Sequence, residues 1–184
     1  MTDKHAEKLT RDSWLQAALE LLTTVGLEGI KVVPLAARLG VTSGSFYWQF
    51  KNRRELHEAL LDYWEMNTTD AAIEGARQFQ GTPQARIAWL MEQIMIEGMA
   101  RYDLPIWQWA QGDIGARAVF RRVLDKRFAF AKRLFSEAGF GEADAEARAR
   151  MMVVYLMGES TLVPGAPEER VEQLRLKCEL LTRQ

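Results

Sequence analysis

The stretch Leu35-Ala-Ala-Arg-Leu-Gly-Val-Thr-Ser-Gly-Ser-Phe-Tyr-Trp-Gln-Phe50, followed by Lys51-Asn-Arg-Arg-Glu-Leu56, decides how this chain reads. It predicts two short helices, at roughly 32–39 and 43–50, joined by the tight turn Leu39-Gly40-Val41-Thr42. Gly40 ends the first, and Thr42 is placed to cap the second by accepting hydrogen bonds from its free amides. From Lys31 to Arg54 the charged residues are Lys31, Arg38, Lys51, Arg53 and Arg54, with no Asp or Glu among them. The whole chain carries 24 Lys and Arg against 25 Asp and Glu, a formal net charge of −1, so positive charge is concentrated in this one stretch. Two such helices suit double-stranded DNA. The second can enter the major groove, about 12 Å wide, with side chains at base edges, while hydroxyls and amides near its start meet phosphate oxygens. A packed three-helix subdomain with a solvated basic face would explain the apolar positions. It would not explain the absence of acids together with Ser43-Gly44-Ser45 and Tyr47.

Around this core the pattern is helical throughout. Trp14, Ala17, Ala18, Leu21, Leu22 and Val25 share one face of a first helix that Gly26 is expected to stop. A fourth helix begins near Asn52 and continues past Trp64. Next come a helix over about 83–101 and a short one around 105–111, after a break forced by Pro105 and before a stop at Gly112 and Gly115. Three longer helices follow, one closing at Gly139, one over about 143–162 and one from Pro167 to about 182. No run alternates with period two. The expected fold is therefore all-α, with an N-terminal three-helix helix-turn-helix domain over 1–66, a C-terminal helical bundle over 67–184, and about nine helices.

At 184 residues and 48% hydrophobic content the chain has the composition of an ordinary globular protein with a sizeable core. Its single cysteine, Cys178, excludes an intrachain disulfide framework, and His5 and His57 make no cluster of metal-ligand spacing. No metal or other cofactor is expected. The N-terminal segment has no signal-peptide pattern, and the longest apolar run, Met151 to Met157, is far short of the ~20 residues of a membrane span. A reducing, cytoplasmic location is expected. With no paired Glu-x-x-His motif and no Ser or Cys near a usable His, an enzyme is not expected.

The 35–56 stretch resembles the TetR-type family of bacterial transcription regulators: an alanine-containing helix, Gly40-Val41, a hydroxyl residue, Gly44, then Tyr47-x-x-Phe50. With the Ala17-Ala18-x-x-Leu21-Leu22-x-x-x-Gly26 frame, the likeness covers roughly residues 10–60. It implies a phosphate contact from the Tyr47 hydroxyl, contacts from Ser43 and Ser45 at the start of the recognition helix, and close approach at Gly44. Arg53 stands where the family has a lysine, and so implies a further phosphate grip. Lys31 replaces the family's usual hydroxyl cap and exchanges it for a phosphate contact, while Thr42 and Lys51 complete the set. Trp48 and Gln49 are expected to face bases, Gln49 by a bidentate pair with adenine and Trp48 by apolar contact with a thymine methyl or the backbone. Leu35, Val41, Phe46 and Phe50 are expected in the core.

The resemblance also implies a ligand pocket in the later helices, where aromatic and methionine residues are dense. Trp89, Met95, Met99, Tyr102, Trp107, Trp109, Phe128 and Tyr155 are the candidates, although such stripes are usually plain core. Glu97, Asp103 and Glu159 are the acids near this apolar material and would suit a cationic apolar compound. The basic residues between 116 and 133 read as a solvated face balanced by acidic neighbours. Val171, Leu174, Cys178 and Leu181 form a narrow stripe on the last helix. With Met151, Val154 and Gly158 on the preceding one, the pattern alone fits a homodimer interface or the core face of a single protomer, and the two-fold half-sites of a DNA target tip the expectation to the homodimer interface. The expected function is a DNA-binding regulator, a homodimer on a palindromic operator, released by a small apolar or amphipathic effector. The alternative is a helical interaction module governed by a protein partner.

Overall fold

In the computed structural model, residues 9–162 and 167–183 are described, with side chains described over 9–159 and 173–183. The described residues form nine α-helices and no strand: α1 (Arg11–Gly29), α2 (Val32–Arg38), α3 (Arg53–Trp64), α4 (Ala71–Gln78), α5 (Pro83–Ile96), α6 (Asp103–Gly112), α7 (Ile114–Glu137), α8 (Glu142–Leu162) and α9 (Pro167–Thr182). A six-residue 3-10 helix, Ser43–Trp48, lies between α2 and α3. A π-helical turn, Glu65–Asp70, joins α3 to α4, and a second 3-10 turn, Met99–Tyr102, leads into α6. None of the described helices is long and apolar enough to cross a membrane. The chain divides into two compact units, 1–63 and 64–184.

Local chemistry sets the helix starts. Thr10 and Ser13 form a reciprocal capping box at α1. Thr82 caps α5 ahead of Pro83, and Asp113 accepts the Ala116 amide at 2.7 Å to start α7. Gly26 does interrupt the first helix, at φ 65° and ψ −179°, but helical structure resumes beyond it to Gly29. The buried face of α1 is Trp14, Leu15, Ala17, Ala18, Leu19 and Leu22, whereas Val25, expected inside, is half exposed at 50%. Pro105 does not force a break either. It sits in the first turn of α6, where its missing N–H costs nothing, and the chain instead turns at Gly98. Gly115 lies inside α7 rather than between helices.

The second unit is built on α7, which packs along α8 and against α5 and α6, while α9 packs on α5. Its core includes Ile87, Leu90, Met91, Phe135, Met152 and Leu156. Leu174, Cys178 and Leu181 belong to this same core, at 2%, 6% and 8% exposure. Of the two sequence alternatives for the α9 stripe, they take the intramolecular one; the side chain of Val171 lies outside the described residues. Among the described residues, the large apolar side chains that remain outside on α8 and α9 are Met151, Val154, Leu176 and Leu180, all more than half exposed; Gly158 is intermediate.

Candidate nucleic-acid interface

The 3-10 helix Ser43–Trp48, the segment expected to be the recognition helix, is placed by one ring. Phe46, fully buried, packs edge-on to Trp14 at 5.6 Å and to Tyr47 at 5.3 Å, and lies 5.3 Å from Phe50, whose own exposure is 1%. Burying Phe46 on α1 leaves the opposite side of the helix in solvent. Tyr47 is 64% exposed and Trp48 89%. Thr42, Ser43 and Gly44 are exposed, and Ser45 and Gln49 are half buried.

The preceding turn is a Schellman motif. The Val41 amide donates to the Ala36 carbonyl at 3.0 Å and the Gly40 amide to the Ala37 carbonyl at 3.1 Å, with Gly40 left-handed at φ 69°. Thr42 then differs from expectation. Its side chain makes no cap bond; the Ser45 amide is taken instead by the Thr42 carbonyl at 3.0 Å. The reason is the 3-10 winding, in which the i→i+3 bond satisfies that amide within the backbone. The Thr42 hydroxyl is left beside Ser45 Oγ, 3.5 Å away, on the exposed side. Lys31, likewise, caps α2 through no side-chain bond and is exposed.

The far end of the recognition helix is tied down by a residue that sequence reasoning passed over. Arg11 donates one hydrogen bond to the Gln49 carbonyl and another, at 3.1 Å, to Glu55, with its guanidinium 4.3 Å above the Phe50 ring. Glu55 accepts the Lys51 amide at 2.8 Å, and its own amide bonds to Asn52 Oδ1 at 3.0 Å. The Lys51 amide, reinforced by Arg11, holds the Glu55 carboxyl below its usual value. No local signal marks Arg11 for this task, because Gln49 and Glu55 are 38 and 44 positions away.

Arg53 is engaged within the unit although its side chain is partly exposed. It donates to the Leu27 carbonyl at 3.1 Å and to His57 Nε2 at 3.3 Å, and lies 3.6 Å from Glu28. Thr42, Ser43, Tyr47, Trp48, Lys31 and Lys51 are thus exposed on the first unit, and Gln49, half buried, has its carbonyl already engaged.

The eight ligand candidates do not converge. Met99 lines a narrow, partly open cavity of about 50 Å³ among α5, α7 and α8, Trp107 and Phe128 line a wider groove of about 410 Å³, and Tyr155 lines a different groove, between α8 and α9. Met95, Tyr102 and Trp109 are buried. Trp89 stacks on Phe79 and lies against Gly75. Of the three acids expected to await a cation, Glu97 is exposed, and the other two are neutralised within the chain. Asp103 is held by Arg127 at 2.7 and 3.1 Å, and Glu159 by Lys177 at 3.3 Å. Most of the basic strip on α7 is balanced as expected, by Glu65, Asp70, Glu137, Glu142 and Glu146. Burial pushes the Glu65 carboxyl up, but hydrogen bonds from Arg122 and Lys126 outweigh it and keep that group low. Arg127, by contrast, is no solvated residue: its side chain is 16% exposed.

Residues 15–60 match the sequence model of the family described as bacterial regulatory proteins, tetR family. The tetracycline repressor protein class C of Escherichia coli is 49% identical over 55 residues, 30% of this chain and 25% of that protein. The match thus spans about a quarter of the length of that relative. Among solved structures, a TetR transcriptional regulator from Legionella pneumophila superposes with a TM-score of 0.75 at 11% identity, over 95% of each chain. The regulator FadR from Bacillus subtilis, in complex with stearoyl-CoA, superposes at 0.71 and 16% identity, over 95% of this chain and 98% of that one. These two likenesses show the fold alone, over 95% of this chain, and the family model concerns residues 15–60, within the N-terminal unit.

Proposed function

We propose, from the premise that the N-terminal unit belongs to the tetR family of bacterial regulatory proteins, that this protein is a ligand-responsive transcription repressor. One observation carries the reading. A recognition helix anchored by Phe46 exposes Tyr47, Trp48 and a row of hydroxyls inside the stretch that holds five basic residues and no acid. Tyr47, Ser43, Thr42, Lys31 and Lys51 serve as phosphate contacts, Gly44 lets the backbone approach, and Ser45 supports the helix start. Trp48, the most exposed of these residues, meets base edges, with Gln49 beside it. Arg53 serves by exchanging Glu28 for a phosphate oxygen.

A palindromic operator requires two such helices about 34 to 36 Å apart, and hence a homodimer. The outward residues Met151, Val154, Leu176 and Leu180 support a two-fold contact through α8 and α9, with Gly158 allowing close approach. Effector binding in the second unit favours a conformation that no longer fits the operator; a ligand with equal affinity for both conformations would shift nothing. The exposed apolar stripe on α8 and α9 also favours a second reading, in which a protein partner covers it and governs the molecule.

Fluorescence anisotropy tests the proposal, using the DNA upstream of the protein's own gene and a scrambled control at two salt concentrations. Tight, salt-sensitive binding that prefers the native fragment is expected. Equal weak binding to both fragments turns the question to the partner reading.

A further inference from the structure

The narrow cavity in the second unit is apolar except at one end, where Thr68, Thr69, Asp103 and Arg127 meet. The π-helical turn makes this end. Thr68 Oγ1 donates to the Trp64 carbonyl at 2.8 Å, and the wide turn brings both threonines to Arg127. Asp103, fully buried, takes Arg127 Nη1–H at 2.7 Å and Nη2–H at 3.1 Å, while Thr69 Oγ1 accepts Nε–H at 2.9 Å and Thr68 a second Nη2–H at 3.4 Å. A guanidinium has five N–H donors. Four are engaged here, which leaves one Nη1–H, and the Thr69 hydroxyl hydrogen has no acceptor among the described residues. The cavity therefore offers hydrogen-bond donors and no net charge.

The walls of the cavity say what can enter. At about 50 Å³ it admits no more than a few atoms, but it shares Asp103 and Met157 with the open groove of about 410 Å³. That groove is lined by Leu104, Trp107, Phe120, Leu124 and Phe128. Met157 is unbranched and flexible, so a change of its rotamer joins the two spaces. A carboxylate entering there would crowd Asp103, and an ammonium would crowd Arg127. Either leaves a charge in an apolar interior without a partner of its own.

Resting on the ligand-responsive reading above, we infer that cavity and groove form one effector site for a neutral, apolar molecule with a single hydrogen-bond acceptor such as a carbonyl oxygen. The oxygen sits at Arg127 Nη1 and the Thr69 hydroxyl, and the apolar body lies along the aromatic groove. The Asp103–Arg127 pair sets the charge selectivity.

The test is isothermal titration calorimetry of the full chain, without DNA, with three probes of equal chain length below their aggregation limits: decan-2-one, decanoate and decylammonium. The ketone is expected to bind at least tenfold tighter than either ion. Equal affinities, a reversed order or no binding of the ketone overturns the inference. In Asp103→Asn, which removes the anion and keeps the shape, decanoate is expected to gain at least tenfold relative to the ketone; an unchanged ratio also overturns it. The double variant Asp103→Leu/Arg127→Met keeps the site folded without buried charge, and the ketone is expected to weaken at least fivefold in it. Undiminished ketone binding there would refute the role of Arg127. A ketone that binds in this order but leaves operator DNA bound refutes the ligand-responsive part of the proposed function and the effector role, and leaves the charge-selective binding site standing.

Discussion

Replacing Phe46 by alanine is expected to unfold the first unit while the second stays folded. The ring is fully buried and touches Trp14, Tyr47 and Phe50 at 5.3 to 5.6 Å between centroids. Phe-to-Ala changes at such sites cost about 3–5 kcal/mol, because the cavity left behind adds to the lost transfer energy. A unit of 63 residues has a total stability of only about 3–9 kcal/mol at the usual 0.05–0.15 kcal/mol per residue. One ring therefore represents a third of the margin or more. Hydrogen exchange read by mass spectrometry on the intact chain separates the units. Protection in peptides from 11–63 should fall by about two to four orders of magnitude, while peptides of α5 and α7 keep theirs. Phe46→Leu, which refills most of the volume, should cost about 1 kcal/mol and retain protection. Undiminished protection in Phe46→Ala peptides of 11–63 would show that the ring does not hold the recognition helix, and the placement of Trp48 would lose its physical basis.

Tyr47→Phe should weaken binding to every DNA sequence alike, whereas Gln49→Ala should change base preference, as measured by anisotropy over a set of operator variants; a uniform effect of Gln49→Ala would refute its role at base edges. Gly40→Ala should destabilise the first unit by about 1 kcal/mol, because the left-handed backbone at φ 69° strains an L-residue while a Cβ there meets nothing within 4 Å; hydrogen exchange reads this directly. Glu55 is held below its usual value by the Lys51 amide and Arg11, so its contribution is present above the unfolded value near 4.5 and is lost as pH falls through the lower folded value. Acid titration of Glu55→Gln should accordingly show a shallower loss of first-unit stability below pH 4.5. Burial pushes the Cys178 thiol up to about 11, leaving roughly one part in a thousand as thiolate at pH 8. A disulfide reagent should label it slowly in native protein and rapidly in denaturant, and equal rates would contradict its place in the core.

The local grammar of the chain was legible without tertiary information. The positions of α2 and the recognition helix, the glycine stop at residue 40 and the segregation of basic residues into 31–54 all follow from residue types at short separations. Backbone preferences, caps and helical periodicity act over three or four positions, and a sequence displays them directly. The same reading went astray where two local signals competed. Pro105 reads as a breaker and serves as a first-turn residue, and Thr42 reads as a side-chain cap where the backbone had already taken the amide.

Contacts between distant segments belonged to the tertiary structure. Arg11 meets Gln49 and Glu55 only when α1 is folded against the recognition helix, and Asp103 meets Arg127 only through the packing of α6 on α7. The stripe of Leu174, Cys178 and Leu181 fits a partner or a protomer's own core equally well as a pattern, and packing against the second-unit core chose the latter. Hydrophobic burial is non-directional and rewards any apolar neighbour. A stripe therefore states that a surface will be covered, and only the arrangement of the other helices decides by what.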